Sequence, residues 1–124
     1  MENRSLAIRY RLLLKLFHPD NKYAALSVTE RYSYKEGKKS NIIDGYTYEA
    51  ANLETYEIIS VFVKQSKPLI SQQQLDELRM AKKKVLIAFE NAIVKPYYNE
   101  RLHTIVDSIK ADSVYFCKDS DYVG

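Results

Sequence analysis

The sequence predicts a mainly α-helical protein, a small bundle of three to four helices. The chain of 124 residues holds only three glycines and three prolines, which is few for a loop-rich β protein. Long segments also repeat apolar residues at the spacing of an amphipathic helix. A chain of this length buries a core of its own, so a single domain, 1–124, is expected.

The first helix is predicted over 4–17 and is followed by a loop that ends at residue 21. One apolar stripe follows the helical period: Leu6, Tyr10, Leu13 and Phe17. A basic face lies nearly opposite: Arg4, Arg11 and Lys15. Pro19 ends the helix, because the residue before a proline is displaced from the α region.

Residues 22–46 are predicted to be an insertion between helices. Ser27 and Glu30 fit a capping box, which would begin a short helix. Alternating tyrosines and the turn signals Glu36-Gly37 and Asp44-Gly45 favour instead a short β-hairpin or loop around 28–46. The sequence leaves both alternatives open.

The remaining predicted helices span 47–64, 72–95 and 97–110. Ser71 and Gln74 fit a capping box at the start of the second of these, and Pro96 ends it. The β-branched run 58–63 would also suit a strand.

Positive charge is concentrated in the first part of the chain. Residues 1–40 carry nine Lys or Arg against four acids, and the rest carries ten against twelve. This asymmetry predicts an acidic partner for the front half. The run Lys82–Lys84 points in several directions on a helix, so nucleic acid is an unlikely partner.

Catalytic signatures are absent from the sequence. The chain has two histidines and one cysteine, and no HExxH, CxxC, GxSxG or glycine-rich phosphate motif. We therefore expect no enzyme, no metal and no cofactor. A small helical enzyme or nuclease using His18 and His103 with a nearby acid remains a third alternative.

The expected compartment is the cytoplasm of a bacterium or of an infected host cell. Cys117 has no second cysteine with which to form an intramolecular disulfide. The sequence shows neither an export leader nor an apolar run long enough to cross a membrane, so no membrane association is expected. Oligomeric state cannot be read from the sequence.

Residues 9–22 resemble helix II and the following loop of a J-domain, the module by which DnaJ-type co-chaperones engage Hsp70. The matching residues keep the family's order and spacing: Tyr10-Arg11, Leu13, Phe17, His18-Pro19-Asp20 and Asn21. Residues 54–60 resemble part of helix III, and residues 85–93 offer a rival placement. The family's helix I has no counterpart.

The resemblance implies that an Hsp70-type chaperone is the partner. Its contact residues would be Arg4, Arg11, Lys15, His18, Pro19 and Asp20. The basic helix would steer association and the loop would make the specific contacts. This geometry requires an exposed loop, and a helix carrying Tyr56 or Phe89 antiparallel to helix 4–17. The alternative is a helical inhibitor, immunity or regulatory protein in which His18-Pro19-Asp20 only ends a helix.

Overall fold

The computed structural model describes residues 12–124. Arg4, Arg11 and most of the predicted helix 4–17 lie outside this range. Within it, Leu14–Leu16 form a short 3-10 turn and not the end of an α-helix.

The prediction of an all-α bundle is wrong, because the described chain is mainly β. Its strands are β1 (Leu12–Leu13), β2 (Tyr23–Lys35), β3 (Lys38–Asn52), β4 (Ile58–Val63), β5 (Leu86–Glu90), β6 (Ile93–Asn99), β7 (Thr104–Ala111) and β8 (Ser113–Phe116). One α-helix, α1 (Gln72–Met80), lies between β4 and β5. No helix within residues 12–124 is long and apolar enough to span a membrane.

Burial with a period of two explains why the helices are absent. In β3 the side chains of Tyr46, Tyr48 and Ala50 are buried, while Thr47 and Glu49 between them are not. The predicted helix 47–64 is therefore the end of β3 and all of β4, and the predicted helix 97–110 is the hairpin of β6 and β7. Backbone pairing with neighbouring strands overrides the helical spacing of the apolar residues.

The helix predicted over 72–95 begins where expected but is much shorter. Ser71 accepts a hydrogen bond from the Gln74 backbone N–H at 3.1 Å, which confirms half of the predicted capping box. α1 ends at Met80, and Lys82 has a left-handed φ of 60°. The second half of the predicted helix contains β5 instead.

Residues 28–46 lie in a β-hairpin, as one alternative predicted, but it is a long hairpin of the main sheet and not a short insertion; the helical alternative at Ser27 is wrong. β2 and β3 pair antiparallel across a tight turn. Glu36 and Gly37 have φ values of 55° and 77°, and positive φ at both central positions is what a type I′ turn requires. Asp44-Gly45 is not a turn, since both residues lie within β3.

The strands form one mixed sheet in the order β1-β6-β7-β4-β3-β2-β5-β8. β5–β8 and β6–β7 share a single register, in which Glu90 pairs with Ser113 and Ile93 with Lys110. Leu86–Phe116 is therefore one long hairpin. One half of it pairs with β2 and the other half pairs in parallel with β4. The hairpin thus closes the three-stranded meander β2–β4 into a barrel.

A network at Asn91 bends the long hairpin between its two halves. Asn91 is left-handed, with a φ of 51°, and its side-chain amide donates to the Asp112 carboxylate at 2.9 Å. The Asp112 N–H donates to the Glu90 carbonyl, and the Leu14 N–H donates to the Ala92 carbonyl, each at 2.9 Å. These bonds fix the two segments of the hairpin at the bend, between β5 and β6 on one segment and between β7 and β8 on the other.

The barrel interior and α1 share one apolar core. Tyr23, Tyr48, Val61 and Ile87 are fully buried inside it, and Leu75 of α1 belongs to the same cluster. Through the bend β5 continues into β6, and β7 continues into β8, so the hairpin supplies two long strands. Together with β2, β3 and β4 they make a barrel of five strands. This arrangement resembles the OB-fold, a five-stranded, partly open Greek-key barrel.

Replacing Gly45 tests the contact between β3 and β4. A Cβ there would lie 2.3 Å from the Val63 carbonyl oxygen and 2.8 Å from Phe62 Cζ. We expect Gly45→Ala to lower the free energy of unfolding by about 1–3 kcal/mol in urea titrations, because one strand must move.

Gly37→Asn is the matched control, because no described residue lies within 4 Å of its Cβ position and asparagine tolerates the left-handed turn. Its free energy of unfolding should change by less than about 0.5 kcal/mol. Equal losses for both variants would contradict the packing described for Gly45.

Candidate binding groove

A groove of about 580 Å³ lies on the outside of the barrel between two hairpins, and we call it the hairpin groove. The β2–β3 hairpin forms one wall with Arg31, Tyr32, Ser33, Tyr34 and Asp44. The floor consists of Thr47, Ser60 and Phe62. The β6–β7 hairpin forms the other wall with Tyr97, Asp107, Ser108 and Lys110.

The floor is aromatic because Phe62 lies against a glycine. The Phe62 ring occupies the space that a side chain at Gly45 would need, across the neighbouring strand. Glycine at this position therefore lets an aromatic ring cover the outer surface of the sheet, and the ring stabilises a residue that has no side chain of its own to pack.

Aromatic side chains also stand on both walls of the groove. The Tyr32 hydroxyl donates to the Glu30 carboxylate, a bond that raises the pKa of Tyr32, and Lys39 Nζ lies 4.4 Å from the ring centroid. These contacts hold the Tyr32 ring in place. Tyr34 and Tyr97 are 71% and 45% exposed on opposite walls, so both rings are accessible to a ligand.

The charges that line the groove are balanced. Arg31 and Lys110 carry positive charge, and Asp44 and Asp107 carry negative charge. Additional positive charge lies beyond the groove on exposed residues of the β2–β3 turn: Lys35, Lys38 and Lys39. An adjoining cavity of about 470 Å³ shares Tyr97, Ser108 and Lys110 with the groove and adds Lys95.

The predicted partner-contact residues that the structure describes lie outside the hairpin groove, and one of them, His18, is buried. His18 is 2% exposed; its Nδ1 lies 2.9 Å from the Tyr23 hydroxyl and its Nε2 lies 2.7 Å from Glu57 Oε1. A carboxylate only accepts hydrogen bonds, so Nε2 carries the proton and, in neutral imidazole, Nδ1 accepts from Tyr23. Burial raises the pKa of Tyr23, and the nearby carboxylates of Asp20 and Glu57 raise it further.

The two residues after Pro19 anchor the same segment. Asp20 accepts a hydrogen bond from the Asn52 side-chain amide at 3.0 Å. Asn21 donates to the Phe89 carbonyl at 3.0 Å and accepts from the Phe89 N–H at 3.2 Å, as a paired strand residue would. Residues 18–21 thus join β2, the β3–β4 loop and β5.

The arrangement required by the J-domain resemblance is not found in residues 12–124. Pro19 and Lys15 are exposed, but His18 is buried. Tyr56 lies in the loop before β4 and Phe89 lies in β5, so neither is on a helix. The Hsp70 interaction stays a prediction to which this geometry adds no support.

The alternative site that combines His18 with His103 gains no support from the contacts of the described residues. His103 lies in the turn between β6 and β7, whereas the side-chain partners of His18 are Tyr23 and Glu57. Within the described range, no group of three or more His, Cys, Asp or Glu side chains is placed to hold a metal ion.

Sequence reasoning missed Tyr34, Phe62, Tyr97 and Lys110. Each points outward from a strand, and the segments that contain Phe62, Tyr97 and Lys110 were assigned to helices. The alternation of Tyr32 with Tyr34 has the strand period of two and could have indicated Tyr34, but no comparable signal marks the other three.

No protein-family model matches this sequence, and neither the curated proteins nor the solved structures give a significant match. Any functional conclusion therefore depends on the groove itself.

Removing the His18 side chain tests the anchoring of residues 18–21. In His18→Ala the buried Tyr23 hydroxyl loses its partner, so we expect the free energy of unfolding to fall by about 1–3 kcal/mol. Urea denaturation followed by circular dichroism measures this change.

Pro19→Ala at the exposed neighbouring position should cost less than about 1 kcal/mol. If His18→Ala unfolded at the wild-type urea concentration, the anchoring role of His18 would be refuted.

Proposed function

We propose that this protein binds single-stranded nucleic acid in the hairpin groove. The observation that carries the proposal is that aromatic side chains from both walls and the floor line one groove: Tyr32, Tyr34, Phe62 and Tyr97. Proteins that bind single strands combine aromatic rings, on which bases stack, with cations that contact the phosphates. Arg31 and Lys110 are the cations within the groove.

The chemistry of the lining predicts binding with little sequence preference. Every base has an aromatic face, so stacking on Tyr34 or Tyr97 tolerates any sequence. The balance of Arg31 and Lys110 against Asp44 and Asp107 predicts that stacking contributes more than phosphate contacts. Salt should therefore weaken binding only moderately.

The position of the groove on the barrel supports the same proposal. OB-folds bind oligonucleotides and oligosaccharides on the face of their second and third strands, beside the loops that join strands one and two and strands four and five. In this chain those strands are β3 and β4, and the loops belong to the two hairpins that form the walls. This support is an analogy between folds, and the lining residues carry the argument.

The proposal reverses the expectation that nucleic acid is an unlikely partner. That expectation considered only Lys82–Lys84, none of which lines the hairpin groove. A cytoplasmic location remains part of the proposal, since Cys117 is the only cysteine of the chain. No catalytic role is proposed.

An oligosaccharide is the second candidate ligand. Asp44 and Asp107 place two carboxylates beside the aromatic rings, together with the hydroxyls of Ser60 and Ser108. Carboxylates accept hydrogen bonds from sugar hydroxyls but repel phosphates. Removal of both charges by Asp44→Asn and Asp107→Asn should therefore strengthen nucleic-acid binding and weaken sugar binding.

Truncation of the two accessible tyrosines tests base stacking. Stacking contributes about 1–3 kcal/mol per base, so Tyr34→Ala and Tyr97→Ala should each weaken binding of oligo(dT) roughly 5- to 150-fold. Fluorescence anisotropy of a labelled oligonucleotide measures the dissociation constant.

Tyr115→Ala is the matched control, because Tyr115 is an exposed tyrosine on β8 that does not line the groove. Its oligo(dT) affinity should equal that of the wild type. Equal effects at Tyr97 and Tyr115, or no saturable binding of oligo(dT) by the folded wild type, would refute the proposal.

The salt dependence of binding tests the phosphate contacts. For single strands, each neutralised phosphate contributes about 0.7 to the slope of log affinity against log salt concentration. Lys110→Gln should reduce that slope by about 0.7, whereas Lys118→Gln, at an exposed position outside the groove, should leave it unchanged. An unchanged slope in Lys110→Gln would show that Lys110 contacts no phosphate.

A further inference from the structure

We propose that a second surface binds an extended acidic segment of a partner protein that carries leucine or a similar aliphatic residue. The surface is a cavity of about 630 Å³ beside the C-terminal end of α1, and we call it the basic cavity. Its rim carries Arg79, Lys82, Lys83 and Lys84. Its floor includes Ala24, Leu26, Leu53 and Leu86. None of its lining residues within 12–124 also lines the hairpin groove.

The four rim cations outnumber the two acids beside them, Asp119 and Asp121. Asp119 is the acidic residue of the lining, and its carboxylate lies 2.9 Å from Lys22 Nζ, which lowers the pKa of Asp119. Within residues 12–124, the recorded ion pairs include none of the four rim cations. The C-terminal end of α1 attracts cations, but a helix terminus carries only about half an elementary charge. Four cations therefore carry far more positive charge than is needed to offset the partial negative charge at the end of α1.

Backbone geometry holds the basic residues around the cavity. Arg79 Nη1 donates to the Leu26 carbonyl at 3.1 Å, which places the guanidinium over β2. Lys82 adopts a φ of 60°, and the Lys83 N–H donates to the Leu78 carbonyl at 2.9 Å, so the chain turns sharply at the end of α1. The rim is therefore part of an ordered turn.

An acidic peptide fits this cavity better than nucleic acid does. Among residues 12–124 no aromatic side chain lines the cavity, so these residues offer bases no ring on which to stack. The aliphatic floor offers burial to leucine side chains, and Leu53 is 38% exposed there.

Peptide binding by the full chain tests the proposal. The probe is a fluorescein-labelled peptide of alternating aspartate and leucine, and the controls replace its leucines by serine or its aspartates by lysine. We expect saturable binding of the first peptide and at least about tenfold weaker binding of both controls, equivalent to about 1.4 kcal/mol.

Two protein variants locate the binding site. Lys82→Asn combined with Lys83→Glu, and separately Leu53→Ser on the floor, should each weaken the peptide at least about tenfold, or about 1.4 kcal/mol. Lys67→Glu, an exposed control outside the cavity, should not. Circular dichroism establishes that each variant is folded, and oligo(dT) affinity should be unchanged in all three.

Absence of saturable peptide binding, or equal binding by wild type and the double variant, would overturn the proposal. The proposal would also be overturned if the double variant lost as much oligo(dT) affinity as Tyr97→Ala does. That result would show that the basic cavity contacts the nucleic acid. Failure of oligo(dT) binding by the wild type would refute the proposed function alone, because no residue within 12–124 lines both sites.

Discussion

The bend near Asn91 in the long hairpin Leu86–Phe116 determines the shape of the barrel. Because the hairpin keeps one register through the bend, the same two chain segments pair with β2 on one side and with β4 on the other. Without the bend, the hairpin would extend one edge of the meander and the sheet would stay open. The bend also brings the β6–β7 hairpin opposite the β2–β3 hairpin, and this placement forms the groove between them.

Residues 18–21 stabilise the barrel at the start of β2, away from the groove lining. His18 is buried with polar partners on both ring nitrogens, as buried polar groups in folded proteins generally are. Asn21 extends the pairing toward β5 through its side chain. His18-Pro19-Asp20, which resembles a recognition loop in sequence, is therefore held to the barrel through the side chains of His18 and Asp20.

Of the local signals in the sequence, one turn and one cap were predicted correctly, whereas the cap at Ser27 and the turn at Asp44-Gly45 were wrong because both segments pair as strands. The Glu36-Gly37 turn and the start of α1 at Ser71 depend on local chemistry, and both were predicted. The spacing of the apolar residues led to a wrong prediction of a helix over 97–110. Leu102, Ile105 and Val106 fit a helical period, but the pairing of β6 with β7 determines the conformation of this segment. The groove could not be predicted, since Phe62 and Tyr97 come together only through the parallel pairing of β4 with β7, which no local pattern encodes.

Backbone amide chemical shifts during titration with oligo(dT) test the central claim most directly, because they locate the ligand on the folded chain. We expect the largest shifts in the hairpin groove, at Thr47, Ser60, Phe62 and Lys110, and no shifts in the region around Asp119. Shifts concentrated around Lys82–Lys84, or distributed evenly over the surface, would contradict it.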